Sequence, residues 1–561
     1  MSDSTAAEVV DLALRPLPDL IIHRGSLPDT AEALRDVLAT SGLIFDRGLP
    51  ARVVRPADGG PPSAIPLTRH NVVMEAHRLC RPVQEDRKGD LIRVTLPDRV
   101  AQMYLDMFGE WGLPPLVGIS TAPLLSADGS VRTADGYDPA TKLWCRSVPA
   151  LRLPESPSRT DAEEALRRLR QAFRTFPFAD AARCWDASLG VEAVDIVKPP
   201  GRDESAFILD LLTAVCRPSL WLAPGALFTA PAVSGAGSGK GLLVRATCTV
   251  AYGISPRAFT TGGERHELEK RFAAELMEAQ PALFLDNANG LALRSDTLAS
   301  VLTERPARVR VLGRSLMVPL NSTAFIAVTG NGLTVTEDLA RRFIPCELDA
   351  RCEDPESRPF TSGFLKDIER QRAELLAAVL IIWRWGRQNA VRLTRGKPLG
   401  SYEMWAEWCR DPLLTLGCRD PVERIEALKA NDPRRQRIGE LFRTWWEHHD
   451  AQIMKVNDLA EPVKAIADSQ GRGRQYLATF LSGLAGTHAA GFVLTRQEPA
   501  GKWAAATYVL TEAAQTSAMG HRTHRTDSPN DAAAPSPMGP MGPMPDASDA
   551  VDVPPGEEAA I

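Results

Sequence analysis

Along the middle of the chain the apolar positions change period repeatedly, and each change marks an element. DAEEALRRLRQAFRTF sets Ala165, Leu166, Leu169, Ala172 and Phe173 on one face, with acids early and arginines late, as a helix and its dipole favour. Residues 160–220 read as helical throughout, with a second helix from about Glu204 to Val215. A short apolar strand, Ala226 to Thr229, then runs into the glycine-rich stretch VSGAGSGKG and an apolar helix from Gly241 to Tyr252. After a break at Thr260 to Gly263, HELEKRFAAELMEA reads as a helix. ALFLD at 282–286 reads as a buried strand ending on a carboxylate, and STAFIAVTGN at 322–331 as another, ending on Asn331. DLARRF at 338–343 closes a short helix before the strand IPCEL.

The flanking regions are less regular. Residues 20–150 read as α+β, with a helix over Asp29–Ala39, a hairpin turning near Asp46–Gly48 and a helix over Pro97–Phe108. Asp128, Asp135 and Asp138 stand in Asp-Gly and Asp-Pro contexts and read as turn formers. Residues 362–450 are strongly helical and are expected to form a lid; there Trp445 and Trp446 read as core, and His448 and His449 as solvated helix-end residues. From 455 to 513 two helices and two strands around a turn predict a winged helix, a fold that places its second helix in the DNA major groove. From Ala514 onward proline, glycine and small polar residues predict a disordered tail. The predicted division is a 1–155 α+β domain, a 156–205 helical connector, a 206–350 α/β phosphate-loop core, a 351–452 helical lid, a 453–513 winged helix and a 514–561 tail.

Composition narrows this little. A chain of 561 residues holds roughly three or four domains at the usual domain size. With net charge −5 and 44% hydrophobic residues, any nucleic-acid surface is local rather than global. Nine cysteines without a CxxC pair suggest neither a disulfide framework nor a zinc ribbon. That cysteine usage predicts a reducing cytoplasm, and the absence of a long apolar run predicts neither a signal peptide nor a membrane span.

The chemistry concentrates in Ser234, Gly235, Ala236, Gly237, Ser238, Gly239, Lys240 and Gly241. Glycines tolerate the backbone angles that let N–H groups converge on an anion, the following helix N-terminus favours negative charge, and a lysine meets the outer phosphates of a nucleotide. Against GxxxxGK[ST] the stretch departs twice: Ser234 replaces the first glycine, and Gly241 the hydroxyl residue that touches Mg²⁺. A strand ending in Asp286 downstream supplies the carboxylate expected to hold Mg²⁺ through water, with ATP as the nucleotide.

In order, the GSGKGLL loop, LFLDN, TGN and DLARRF resemble the AAA+ ATPases, and most closely the superfamily 3 helicases and the ATPase half of primase-helicase proteins of prophages and integrative elements. The resemblance spans about residues 20–360. It implies catalytic roles for Lys240, Asp286, Asn287, Asn331, Arg341 and Arg342, one of the arginines being a finger supplied to a neighbouring subunit, with Arg342 favoured over Arg341. It also implies a homo-oligomeric ring, a hexamer, acting as a helicase or translocase in replication of a mobile element, with priming left to a separate primase. A hairpin within ERPARVRVLGRSLMVPLN would grip single-stranded DNA in the pore through Arg305, Arg308, Arg310 and Arg314; the same arginines also suit a carboxylate-rich neighbouring subunit. Arg472, Arg474, Gln475, Arg496 and Lys502 are the expected duplex contacts of the winged helix. Asn287 stands where active AAA+ members carry a water-polarising glutamate, so Glu267 or Glu269 is the conjectured substitute. An ATP-binding switch or scaffold with little hydrolysis, and a winged-helix regulator, remain alternatives.

Overall fold

The computed structural model describes residues 17–56, 60–146, 148–233, 235–262, 265–289, 292–311, 316–358, 363–430, 432–497 and 505–513. The segment predicted as a disordered tail, from 514, lies outside them. One compact unit takes in the chain as far as Thr511.

Its centre is a five-stranded parallel sheet. Across the sheet run Ala258–Phe259, the acidic strand Ala282–Leu285, the central strand Phe325–Asn331, the loop strand Gly225–Ala230 and the last strand Phe343–Glu347. Nearly every residue of the longer strands is buried, as parallel strands covered on both faces require, and this explains their unbroken apolar runs. The register pairs Ala230 with Asn331, Thr229 with Glu347 and Leu285 with Val328. The loop strand comes first in the chain yet lies between the last two strands, so the order reverses beside it. A crevice opens beyond the carboxyl ends of the strands at such a reversal.

One face of the sheet is covered by the helices Arg159–Phe173, Arg202–Cys216, Lys240–Tyr252 and Arg372–Gln388 in a single core. Arg202–Cys216 is buried almost all round, which is why its sequence lacks a polar face. The other face shares its core with the N-terminal region: Leu34, Val72 and Tyr104 belong to one cluster with Leu283, Ile326 and Val328. Arg47 fastens this join. Fully buried, its guanidinium donates to the carbonyls of Leu116, Val117, Leu276 and Met277. Burial with no carboxylate partner among these contacts lowers its pKa to about 10.

Residues 183–194, expected to be helical, form a hairpin instead, Arg183–Asp186 against Val191–Val194. The Asp186 carboxylate accepts from the backbone N–H groups of Ser188 and Leu189, and Gly190 takes φ 66°, so the turn is fixed locally. Trp445 is fully buried as expected. His449 is not solvated: it is buried, and its Nε2 accepts from the Ala460 N–H. The C-terminal part has its own core, in which the helices Glu461–Ala467 and Arg474–Leu484 lie against a four-stranded sheet.

Candidate functional site

The glycine-rich stretch leaves the loop strand at the crevice and ends in the helix Lys240–Tyr252. Ser234 lies outside the described residues. Gly237 and Gly239 take φ 69° and 96°, angles at which a side chain is strained. Both are also crowded. A Cβ on Gly237 would lie 2.7 Å from Glu356 Cβ, and one on Gly239 3.0 Å from the Phe176 ring. The loop is therefore held between the Glu356 turn on one side and Phe176 on the other.

Inside it, the Lys240 ammonium is folded back. Its Nζ donates to the Gly235 carbonyl at 2.8 Å and to Ser238 Oγ at 3.0 Å, while Ser238 Oγ donates to the same carbonyl at 2.9 Å. Burial lowers its pKa from 10.5 to about 8, and the charge of Asp286 only partly offsets this. These bonds are the kind an anion entering the loop would replace.

Asp286 ends the acidic strand beside the helix start. A Cβ built on Gly241 would sit 3.7 Å from its Oδ1 and 3.8 Å from its Oδ2. Thr329, on the adjacent central strand, orients this carboxylate: its hydroxyl donates to Asp286 Oδ1 at 2.5 Å and accepts from the Asn287 N–H at 3.2 Å. Thr329 was not among the sequence candidates. Its signal was present, since it stands two places before Asn331 on a strand paired directly to the acidic one.

Asn331 reaches the loop from the opposite side. Its Oδ1 is buried, lacks a hydrogen-bond partner among the described residues, and lies 2.7 Å from where a Gly235 Cβ would be. An unpaired buried acceptor costs roughly 1–3 kcal/mol, and a bound partner would relieve that cost. Asn287 is exposed in the left-handed region, φ 58°. The conjectured substitute carboxylates are committed elsewhere, which corrects that expectation: Glu269 accepts from the Asp296 and Thr297 N–H groups, and Glu267 pairs with Lys270 at 2.6 Å.

The arginine pair divides. Arg342 is buried, and its guanidinium donates to Ala299 O, to Thr303 Oγ1 at 3.2 Å and to Asp338 at 2.8 Å. It holds the end of the helix Asp296–Thr303, which does not suit the outward-reaching role for which Arg342 was preferred over Arg341. Arg341 is exposed and, among the described residues, tethered only to Asp338 at 3.2 Å.

The hairpin arginines also separate. Arg305 is half-buried; it donates to the carbonyls of Leu220 and Trp221 and lies 4.9 Å over the Trp221 ring, so it braces a loop, which does not suit the strand-gripping role expected of it. Arg308 and Arg310 alternate with buried Ala307 and Val309 on the strand Ala307–Arg310, and both face solvent. Cross-strand from them stand Pro319 and Met317, also exposed. Arg314 lies outside the described residues.

In the C-terminal part Arg474 and Gln475 are exposed at the start of the helix Arg474–Leu484. Arg472 lies 4.8 Å over the Tyr476 ring, and Arg496 donates to Ser482 Oγ at 3.3 Å. Lys502 lies outside the described residues.

Beside the phosphate-loop candidate a cleft of ≈ 610 Å³ opens, lined by Ser238 and Leu242 from the loop and helix, Phe176, Phe364, and Trp185 and Val194 from the unforeseen hairpin. Arg183 and Arg358 reach its rim, each with a pKa lowered mainly by burial. Among the described residues no cluster of three or more His, Cys, Asp or Glu side chains is placed to hold a metal. Mg²⁺, which is usually held by one or two carboxylates together with substrate phosphates and water, still fits a lone Asp286. No helix among the described residues is long and apolar enough to cross a membrane.

Fold and site together define an open parallel α/β protein whose glycine-rich loop, lysine and strand-end carboxylate meet at the topological switch point. No protein-family model matches the chain, and no curated protein matches it. Among solved structures it is similar to the A-form apo structure of the NrS-1 C-terminal region, at 11% identity and a TM-score of 0.34, covering 85% of this chain and 99% of that one. It is also similar to the SCCmec type IV Cch active helicase, at 10% identity and a TM-score of 0.34, covering 83% of this chain and 92% of that one.

Proposed function

We propose that this chain is an ATP-dependent nucleic-acid motor of the helicase or translocase type. The observation that carries the reading is the convergence, at one crevice, of a crowded glycine loop, a folded-back Lys240, an oriented Asp286 and the unpartnered Asn331 Oδ1. The adjoining apolar cleft suits a nucleobase and ribose, with the Phe176 and Trp185 rings offering faces for stacking.

In this reading Lys240 exchanges the Gly235 carbonyl for the outer phosphates of ATP, and the backbone N–H groups of Gly237 to Lys240 cradle them. Asp286, held by Thr329, binds Mg²⁺, which when present neutralises charge on the phosphates. The Asn331 amide positions the attacking water or the terminal phosphate. Arg341, exposed, is the finger offered to a neighbouring copy in a ring. Arg308 and Arg310 present charge to a single strand, and Arg474, Gln475 and Arg496 to a duplex if the C-terminal part acts as a winged helix. Replication of a mobile genetic element, with a separate primase, is the setting suggested by the family resemblance.

A second reading has its own support. With Asn287 in place of a glutamate and both nearby glutamates engaged, no side-chain base among the described residues stands ready to activate water, so an ATP-gated DNA-binding switch with slow turnover fits the same geometry. Turnover measured with and without single-stranded DNA separates the two. Stimulated turnover that Lys240→Ala abolishes supports the motor, and tight ATP binding without turnover supports the switch. Unchanged ATP binding in Lys240→Ala would remove both.

A further inference from the structure

The hairpin that walls the apolar cleft turns one face into it. On the strand Arg183–Asp186, Arg183 and Trp185 line the cleft, while the alternate residues Cys184 and Asp186 do not. Across the ladder Val194 stands opposite Arg183 and Glu192 opposite Trp185, so these four side chains share one face. Glu192 Oε2 lies 3.8 Å from Arg183 Nη1, across the diagonal of the four. The face therefore offers a ring, an apolar side chain, a cation and an anion side by side.

Two of these groups are held and two are open. The Arg183 Nη2 donates to the carbonyls of Phe178 and Asp349, which fixes the guanidinium. The Glu192 side chain is 66% exposed, and among the described residues Arg183 is its only ion-pair partner. The Trp185 indole is 67% exposed. Across the cleft stand Phe176 and Phe364, their ring centroids 5.3 Å apart, and Phe176 also abuts Gly239 of the glycine loop. A nucleotide whose phosphates fill the loop thus carries its base in between these rings and the hairpin face.

We propose that this hairpin reads the base and favours guanine over adenine, with Glu192 as the residue that sets the preference. The inference rests on the proposed nucleotide site and extends it from ATP to purine triphosphates, GTP being the tighter ligand. Guanine presents two neighbouring donors, N1–H and the N2 amino group, which one carboxylate accepts together, and its O6 acceptor beside them suits the guanidinium. Adenine offers the same pair a single donor, its N6 amino group, and one ring nitrogen. Either purine stacks on Trp185 alike, and a pyrimidine gives the indole less area. Guanine gains one further bond to a charged acceptor, which is worth roughly tenfold in affinity.

Calorimetric titration of the full chain with non-hydrolysable analogues of ATP and GTP, each with Mg²⁺, tests this. The wild type is expected to bind the GTP analogue roughly tenfold more tightly. Glu192→Gln keeps an acceptor for the adenine amino group but gives up the charge, and its amide N–H opposes one guanine donor. Binding of the GTP analogue should then weaken about tenfold, that of the ATP analogue should change less than about threefold, and the preference should vanish. Trp185→Ala should weaken both analogues and keep their ratio. Because Glu192 is exposed and Arg183 retains its two carbonyl partners, a melting temperature within about 2 °C of wild type is expected for Glu192→Gln. Equal or tighter binding of the ATP analogue by the wild type overturns the inference and leaves the nucleotide site standing, as does a ratio that Glu192→Gln does not change. A wild type that binds neither analogue removes the nucleotide site and the inference with it.

Discussion

Gly241 offers the sharpest test of the loop, because the structure shows that the missing hydroxyl has room. The residue is the second of the helix Lys240–Tyr252, and a Cβ there would meet Asp286 Oδ1 and Phe284 Cζ at 3.7 Å, ordinary contact distances. Gly241→Ser should therefore enter without strain and add roughly 0.5 kcal/mol of helix stability, since serine loses less backbone freedom than glycine. Its hydroxyl would stand beside the carboxylate proposed to hold Mg²⁺. An interaction with a charged group contributes about 1.5 kcal/mol at the low end, which is roughly a tenfold gain in MgATP affinity. Titration of a fluorescent ATP analogue with Mg²⁺ and with EDTA checks this. Affinity should rise only in Mg²⁺, and Gly241→Ala, which shares the helix gain but lacks the hydroxyl, should leave it unchanged. Equal shifts with and without Mg²⁺, or weaker binding by the serine variant, would refute the placement of the cation at Asp286.

The other expectations follow from single contacts. Because the Lys240 pKa is depressed to about 8 before an anion arrives, ATP binding above about pH 8 should be accompanied by proton uptake, and affinity should fall as pH rises through that value. Calorimetry in buffers of different ionisation enthalpy reads the uptake, and Lys240→Met should erase it. The sign for stability is opposite: between about 8 and 10.5 the unfolded lysine binds the proton and the folded one does not, so its contribution to stability rises with pH across that window. Thr329→Val keeps the shape of the side chain but removes the bond to Asp286, and should cost about 2 kcal/mol in urea unfolding as well as weaken Mg²⁺-dependent ATP binding. Arg342→Ala should destabilise the fold by roughly 2 kcal/mol, since it strips partners from Ala299 O and Thr303, whereas Arg341→Ala should leave stability within about 0.5 kcal/mol and reduce DNA-stimulated turnover.

The elements around the loop were legible because parallel strands buried on both faces write themselves as unbroken apolar runs, and GALFT, ALFL and FIAV stand out for that reason. The hairpin at 183–194 was not, because its strands are short, partly exposed and adjacent to two long helices that dominate the local pattern. That loss mattered, since this hairpin walls the apolar cleft beside the loop. The choice between Arg341 and Arg342 was equally closed to inspection of the sequence: adjacent residues with the same chemistry point in different directions, and only packing against the helix Asp296–Thr303 consigns one of them to the interior.

What the amino-acid sequence determined by itself was therefore local: a glycine loop between an apolar strand and a helix, a carboxylate and an amide at strand ends, and arginines at alternate positions of a hairpin. Backbone freedom, period and chain order carry that information. The tertiary structure alone decided which groups share the crevice and which are already committed. Strand order brought Thr329 to Asp286 and Asn331 to Gly235, burial withdrew Arg342 into structural bonds, and backbone groups of distant segments hold Arg305 and Glu269. The glycine loop itself gained two walls that its sequence does not name, Phe176 and the acidic turn at Glu356. These contacts depend on distances between segments far apart in the chain, and no local pattern encodes such distances.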